Sequence, residues 1–228
     1  MYVRLVTKIF LRKHEQKSYT ENMKNTTNID SFESINPVST VTINSKVPNI
    51  SFEIYDPSSD SVKKVSLADY KTKWLIMFFY PADFTFVCPT ELEEMAKLYS
   101  EFKKEGAEII SVSTDTVFVH KAWHDHTPAI KQIKYPMAAD PTGSISKLFG
   151  TYIEAEGLSL RGTFIIDPKG VLKSIEINDN SIGRKGTETL RKLRAAKHVS
   201  KHPGNVCPAS WEPGDDTLKP GLDLVGKI

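Results

Sequence analysis

Seven consecutive apolar residues, Trp74-Leu75-Ile76-Met77-Phe78-Phe79-Tyr80, constrain this chain more than any other feature. A strand with one face in water alternates apolar and polar side chains, whereas an unbroken run of this length is expected of a strand buried on both faces. It predicts a central strand in a sheet covered on each side. Leu92, Met95, Ala96, Tyr99 and Phe102 follow at helical spacing, which places them on one face of a helix ending near Gly106. Ala107 to Val112 then reads as the next strand. Strand, helix, strand in that order implies a right-handed crossover and a parallel pair, hence an α/β layered domain.

The remaining elements extend this core. A second helix is predicted over Val117 to His126, and a hairpin over residues 162–177, where Asp167-Pro168-Lys169-Gly170 supplies the turn dihedrals. The hairpin makes the sheet mixed. Leu190, Leu193, Ala196 and Val199 mark a last amphipathic helix, which the Gly- and Pro-rich tail beginning at Pro203 cannot continue. Residues 1–46, rich in Asn, Ser and Thr and without apolar periodicity, read as a disordered extension. The organisation expected is therefore an extension over 1–46, a domain over 47–201 and a tail over 202–228.

Composition narrows the function classes. At 228 residues with 39% hydrophobic and 25% charged side chains, the chain can bury one sizeable core. A formal charge of +2 with mixed signs argues against a nucleic-acid face. No apolar run approaches the ~18 residues of a membrane span, so a soluble, cytoplasmic protein is expected. Arg4, Lys8, Arg12 and Lys13, with no acid among the first fourteen residues, leave three readings of the N-terminus. It is an organelle presequence, a flexible tail, or a start displaced from Met23. His120, His124 and His126 lack any acid or thiol at a regular interval, so they read as surface histidines on a helix and no metal site is expected.

The two cysteines are too far apart for a C-x-x-C pair and too few for a disulfide scaffold. Cys88 falls where the first long helix begins. Free N–H groups and the positive end of the macrodipole stabilise a thiolate there, and Pro89 suits a first helical turn. A thiolate can displace the leaving oxygen of a peroxide and become a sulfenic acid. Thr85 can both donate and accept a hydrogen bond, and so could orient a hydroperoxide beside the sulfur. Pro81 adds a rigid wall without a donor. The bland alternative is an inert, packed cysteine.

Pro81, Thr85 and Cys88 reproduce a P-x-x-x-T-x-x-C motif within Tyr80-Pro81-Ala82-Asp83-Phe84-Thr85-Phe86-Val87-Cys88-Pro89-Thr90-Glu91. By this string the chain resembles the peroxiredoxins of the typical two-cysteine branch. The likeness runs through Ser111 to Asp115, His120 to His124, Arg161 to Pro168 and Val206 to Ala209, ending at Leu222 to Ile228. It implies a thioredoxin-like fold with a central mixed β-sheet flanked by helices, an antiparallel homodimer, and often a ring of five dimers.

The resemblance also assigns roles. Cys88 becomes the peroxidatic cysteine, and Cys207 becomes the resolving cysteine, contributed by the partner subunit. Arg161 becomes the active-site arginine and Glu91 the acid that holds it. For the two sulfurs to meet, their Cα atoms must come within ~7 Å, so the turn around Cys88 must loosen. No cofactor is implied. The substrates are hydrogen peroxide and organic hydroperoxides, and the reductant is a flavoprotein disulfide reductase or thioredoxin. The Gly-Gly-Leu-Gly insertion and the C-terminal Tyr-Phe helix of many eukaryotic members are both missing, so Cys207 is expected to outrun a second peroxide. The competing reading is a peroxide-switched holdase chaperone or redox-signalling protein.

Overall fold

A computed structural model describes residues 41–227. The presequence, tail or displaced-start readings of the N-terminus fall outside them. Nine strands and four α-helices follow in order: β1 (Ser51–Asp56), β2 (Ser61–Ser66), β3 (Trp74–Phe79), α1 (Cys88–Lys104), β4 (Ala107–Ser113), α2 (Val117–His126), β5 (Met137–Ala139), α3 (Ser144–Leu148), β6 (Tyr152–Ile153), β7 (Leu158–Ser159), β8 (Arg161–Ile166), β9 (Leu172–Asn178) and α4 (Gly186–Lys201). Seven strands form one sheet in the order β2-β1-β5-β4-β3-β8-β9, and β6 pairs with β7 separately.

The predicted central strand occupies the place its composition demands. All of β3 is buried, running parallel to β4 and antiparallel to β8. Trp74, Ile76, Phe78 and Tyr80 pack on one side with Leu92, Met95 and Phe102 of α1, Trp123 of α2, and Leu190 and Leu193 of α4. Leu75, Met77 and Phe79 pack on the other with Ile145 of α3 and Phe149 just beyond it. Each such side chain contributes about 1.5–3 kcal/mol by leaving water. Gly106 ends α1 at φ +71, a left-handed conformation that a Cβ would strain.

The fold is thus the α/β arrangement with a central mixed sheet that was expected, of the thioredoxin type. The strands β1, β2, β5, β6 and β7 and the short helix α3 are not among the expected elements. β2 is an edge strand with a mostly exposed surface, so its Ser-Val-Lys-Lys-Val-Ser carries little apolar signal. β5 has three residues, too few to show a period. Residues 41–46, expected to belong to the disordered extension, are instead tied to the domain by backbone contacts: Val41 is buried, the N–H of Asn44 donates to Leu172 O, and Lys46 bridges Val171, while most of the other side chains stay exposed. Tertiary contacts ordered a stretch whose polar composition hid them. Among the described residues, no helix is long and apolar enough to cross a membrane.

Candidate active site

The loop from β3 to α1 delivers Cys88 to the first position of a helix of 17 residues, with Val87 at the N-cap and Pro89 in the first turn. Cys88 is fully buried, at 0% exposure. A hydrogen-bonded net holds the loop before it. Tyr80 Oη donates to Asp83 Oδ1 at 2.7 Å, the Asp83 N–H donates to Asp115 Oδ2 at 2.8 Å, and His120 Nδ1 lies 2.8 Å from Asp83 Oδ2. His120 Nε2 carries a hydrogen, because its other neighbour, the Ala138 carbonyl at 3.1 Å, can only accept. Burial pushes the Asp83 carboxyl up, and His120 opposes that. Phe84 in this loop has φ +53, an uncommon backbone for an aromatic residue that its surroundings must impose.

The surface reading of the α2 histidines is corrected here. His120 is fully buried and His124 is largely so, while only His126 is exposed. Asp83, which partners His120, lies too far away in sequence for any local spacing rule to find it. Among the described residues, no group of three or more His, Cys, Asp or Glu side chains could hold a metal ion.

Beneath the sulfur lies a charged cluster. Arg161, first residue of β8 and 3% exposed, donates through Nη1 to Cys88 Sγ at 3.4 Å and to Glu91 Oε2 at 2.7 Å. Its Nε and Nη2 both donate to Asn180 O, at 2.9 and 2.8 Å, which fixes the plane of the guanidinium. Glu91, one helical turn after Cys88 and 3% exposed, also receives Arg184. The Arg184 N–H and Nε donate to Oε1 at 2.7 and 2.9 Å, and Nη2 donates to Oε2 at 3.1 Å. Arg184 is 7% exposed, donates through Nη1 to Gly162 O at 2.7 Å, and stacks 3.5 Å from the centre of the Phe78 ring.

One buried carboxylate therefore faces two buried guanidiniums. Burial alone would push Glu91 up, but Arg184 first and then Arg161 outweigh it and hold the carboxyl below its ordinary range. Burial pulls Arg184 down, with Glu91 opposing. Cys88, Glu91 and Arg161 thus come together as expected, while Arg184 was missed. Its signal in Gly183-Arg184-Lys185-Gly186 is one of two adjacent basic residues in a polar linker, indistinguishable from a solvated one.

Thr85 is half-buried and donates to Ala82 O at 2.9 Å, leaving its oxygen free to accept, and Pro81 is buried at the start of the loop. Cys207 stands apart from this cluster, in the segment after α4. It is half-buried, and Ala195 O lies 4.0 Å from its Sγ, a weak contact. Both cysteines are free thiols.

Residues 43–175 match the AhpC/TSA family, and residues 195–225 match the C-terminal domain of 1-Cys peroxiredoxin. The alkyl hydroperoxide reductase C of Staphylococcus aureus is 52% identical over 186 residues, spanning 82% of this chain and 98% of its own. That of Staphylococcus epidermidis is 50% identical over the same shares. Among solved structures, Enterococcus faecalis AhpC superposes with a TM-score of 0.71 at 46% identity, over 74% of this chain and 100% of its own. Reduced Plasmodium vivax 2-Cys peroxiredoxin gives 0.75 at 32% identity, over 79% and 94%. A buried thiol at a helix start beside an arginine, in a chain this close to those relatives over 82% of its length, has one reading: the protein belongs to the AhpC/TSA family and is a peroxiredoxin.

Proposed function

We propose that this thiol-dependent peroxidase reduces hydrogen peroxide and organic hydroperoxides through a Cys88 sulfenic acid, which Cys207 of a partner subunit resolves. The observation that carries this is the Arg161 guanidinium 3.4 Å from Cys88 Sγ at the start of α1. A fixed cation and a helix N-terminus both favour negative charge on that sulfur. The thiolate attacks one peroxide oxygen, the O–O bond breaks, and the leaving oxygen takes up a proton as water or alcohol. Cys88 is left as a sulfenic acid. Attack by Cys207 then forms the S–S bond and releases water.

Arg161 stabilises charge on the sulfur and on the leaving oxygen. Glu91 fixes Arg161, with Arg184 as its second anchor. Thr85 accepts the hydrogen of the hydroperoxide, and Pro81 walls the site. Because Cys88 is fully enclosed, a small peroxide can enter more easily than the second thiol, whose approach requires the first turn of α1 to open.

The division at residues 47–201 and 202–228 follows the chemistry, with one cysteine on each side. A homodimer is supported by β9, which ends the sheet and exposes Ile175 and Ile177, an edge open to pairing with a second copy. A ring of five dimers, a flavoprotein reductase or thioredoxin as reductant, and a cytoplasmic location belong to the same proposal. The test is NADH or NADPH oxidation coupled to each reductant system with both peroxide classes, alongside non-reducing gels. Turnover with a covalent dimer is expected. Absence of peroxide consumption in every system would overturn the proposal.

A further inference from the structure

We propose that Arg191 is the positioning residue of the second half-reaction: its guanidinium pins the loop carrying Cys207 onto α4 and supplies the positive field in which that thiol ionises. The inference rests on Cys207 closing the disulfide, as proposed above, and names the residue that readies it.

The segment around Cys207 is built rather than slack. Val206 and Leu218 exchange backbone hydrogen bonds of 2.8 and 3.0 Å, closing a loop with Cys207 just inside its mouth. Trp211 anchors that loop: it is buried, its Nε1 donates to Asp215 O at 3.1 Å, and its ring lies 4.8 Å from that of His198 on α4. Arg191 ties this anchor to the helix, since Nη1 donates to Trp211 O at 3.1 Å. Its Nε and Nη2 grip the two oxygens of Glu188 at 2.7 and 2.8 Å, which sets the direction of the fork.

Arg191 and Ala195 stand one turn apart on the same face of α4, and Ala195 O lies 4.0 Å from Cys207 Sγ. The guanidinium and the thiol therefore share that face and line one cavity of about 460 Å³ with Lys173 and Lys192. All three cations have counterions, Lys192 with Glu176 at 2.7 Å, Lys173 with Asp167 at 3.8 Å and Arg191 with Glu188, but of the three Arg191 is the one that also donates to the loop carrying Cys207, at Trp211 O. Burial pushes the Cys207 thiol up, and the charge of Arg191 acts against it. Glu188 in turn holds Arg191 firmly protonated.

The step needs the thiolate. Cys207 gives up its proton and attacks the sulfur of the Cys88 sulfenic acid. The S–S bond forms, the S–O bond breaks, and the departing hydroxide takes up a proton to leave as water. The rate follows the thiolate fraction of the attacking sulfur.

The test uses the full-length protein and follows sulfenic acid and disulfide separately, by rapid alkylation and intact mass after one equivalent of hydrogen peroxide. In Arg191→Gln the pH midpoint of disulfide formation should move up, and in Glu188→Gln, which frees Arg191 from its counterion, it should move down. Oxidation of Cys88 should stay unchanged in both. At neutral pH, Arg191→Gln should resolve about threefold more slowly, because a roughly tenfold loss of thiolate is about half offset by the greater nucleophilicity of a less acidic thiol. Arg191→Lys should restore the midpoint in part. Unshifted midpoints, or uniform slowing at every pH, would overturn the proposal and leave Arg191 as packing. Should Arg191→Gln fail to fold, the downward shift in Glu188→Gln still decides. A wild type that forms no Cys88–Cys207 disulfide would instead overturn the two-cysteine reading itself.

Discussion

The surroundings of the two cysteines differ sharply, one buried and one half-buried. Cys88 is sealed at a helix start, beneath a cluster in which one carboxylate and two guanidiniums satisfy each other through hydrogen bonds of 2.7–3.1 Å. Cys207 is half exposed on a loop held by a backbone bridge, a buried tryptophan and a few polar contacts, among them the hydrogen bond from Arg191. A site that must stabilise charge on sulfur needs fixed dipoles in a dry setting. A thiol that must travel to another sulfur needs few contacts to break. The density of buried polar contacts therefore separates the reactive cysteine from the one that resolves it.

Exchanging each thiol for a hydroxyl gives the largest expected effects. Cys88→Ser should consume no peroxide rapidly and form no disulfide. Cys207→Ser should reduce one equivalent, then accumulate Cys88 as sulfenic and sulfinic acid that mass spectrometry can count. On non-reducing gels the oxidised wild type should run as a covalent dimer and both variants as monomers. A disulfide formed within one chain would break the comparison, because the second thiol would then have no intersubunit journey to make.

Next in size is Glu91→Gln, which leaves two buried guanidiniums without their counterion. A loss on the order of 3–5 kcal/mol is expected for such a pair, read as the shift in denaturation midpoint. Peroxide attack should slow as well, since Arg161 loses its clamp. Arg161→Ala should slow formation of the sulfenic acid while sparing the fold more than Glu91→Gln does, because Arg184 still pairs the carboxylate.

Acid should distinguish the two regions with a defined sign. The folded protein holds Glu91 below its ordinary range. The stability it contributes is therefore complete above the ordinary carboxylate value and is lost as pH falls through the lowered one. The wild type should lose melting temperature on acidification in excess of Glu91→Gln, whose amide cannot titrate. Equal losses would show that the cluster does not carry the acid sensitivity. The smallest effects are expected at Thr85, where Thr85→Val should slow attack without unfolding and Thr85→Ser should be milder because the hydroxyl remains. Stopped-flow rates of sulfenic acid formation would rank the two.

Much of this protein was legible before its structure. A run of seven apolar residues, of strand length and rich in aromatic side chains, fits a doubly buried strand. Apolar side chains at helical spacing behind it determined α1, and with that the placement of Cys88 at a helix start. The motif from Pro81 to Cys88 carried the family. Local periodicity and turn chemistry are properties of neighbours in sequence, so sequence alone determines them.

What it left open are contacts between distant residues. Arg184 reaches Glu91 from 93 positions away and Asp83 reaches His120 from 37, and no local pattern at Arg184, Asp83 or His120 distinguishes a buried, paired group from a solvated one. Residues 41–46 and β2 were likewise ordered by partners that their own polar composition does not reveal. Burial of a charge is decided by whether its counterion arrives, because an unpaired ion is too costly to remove from water. Only the tertiary structure brings that counterion to it.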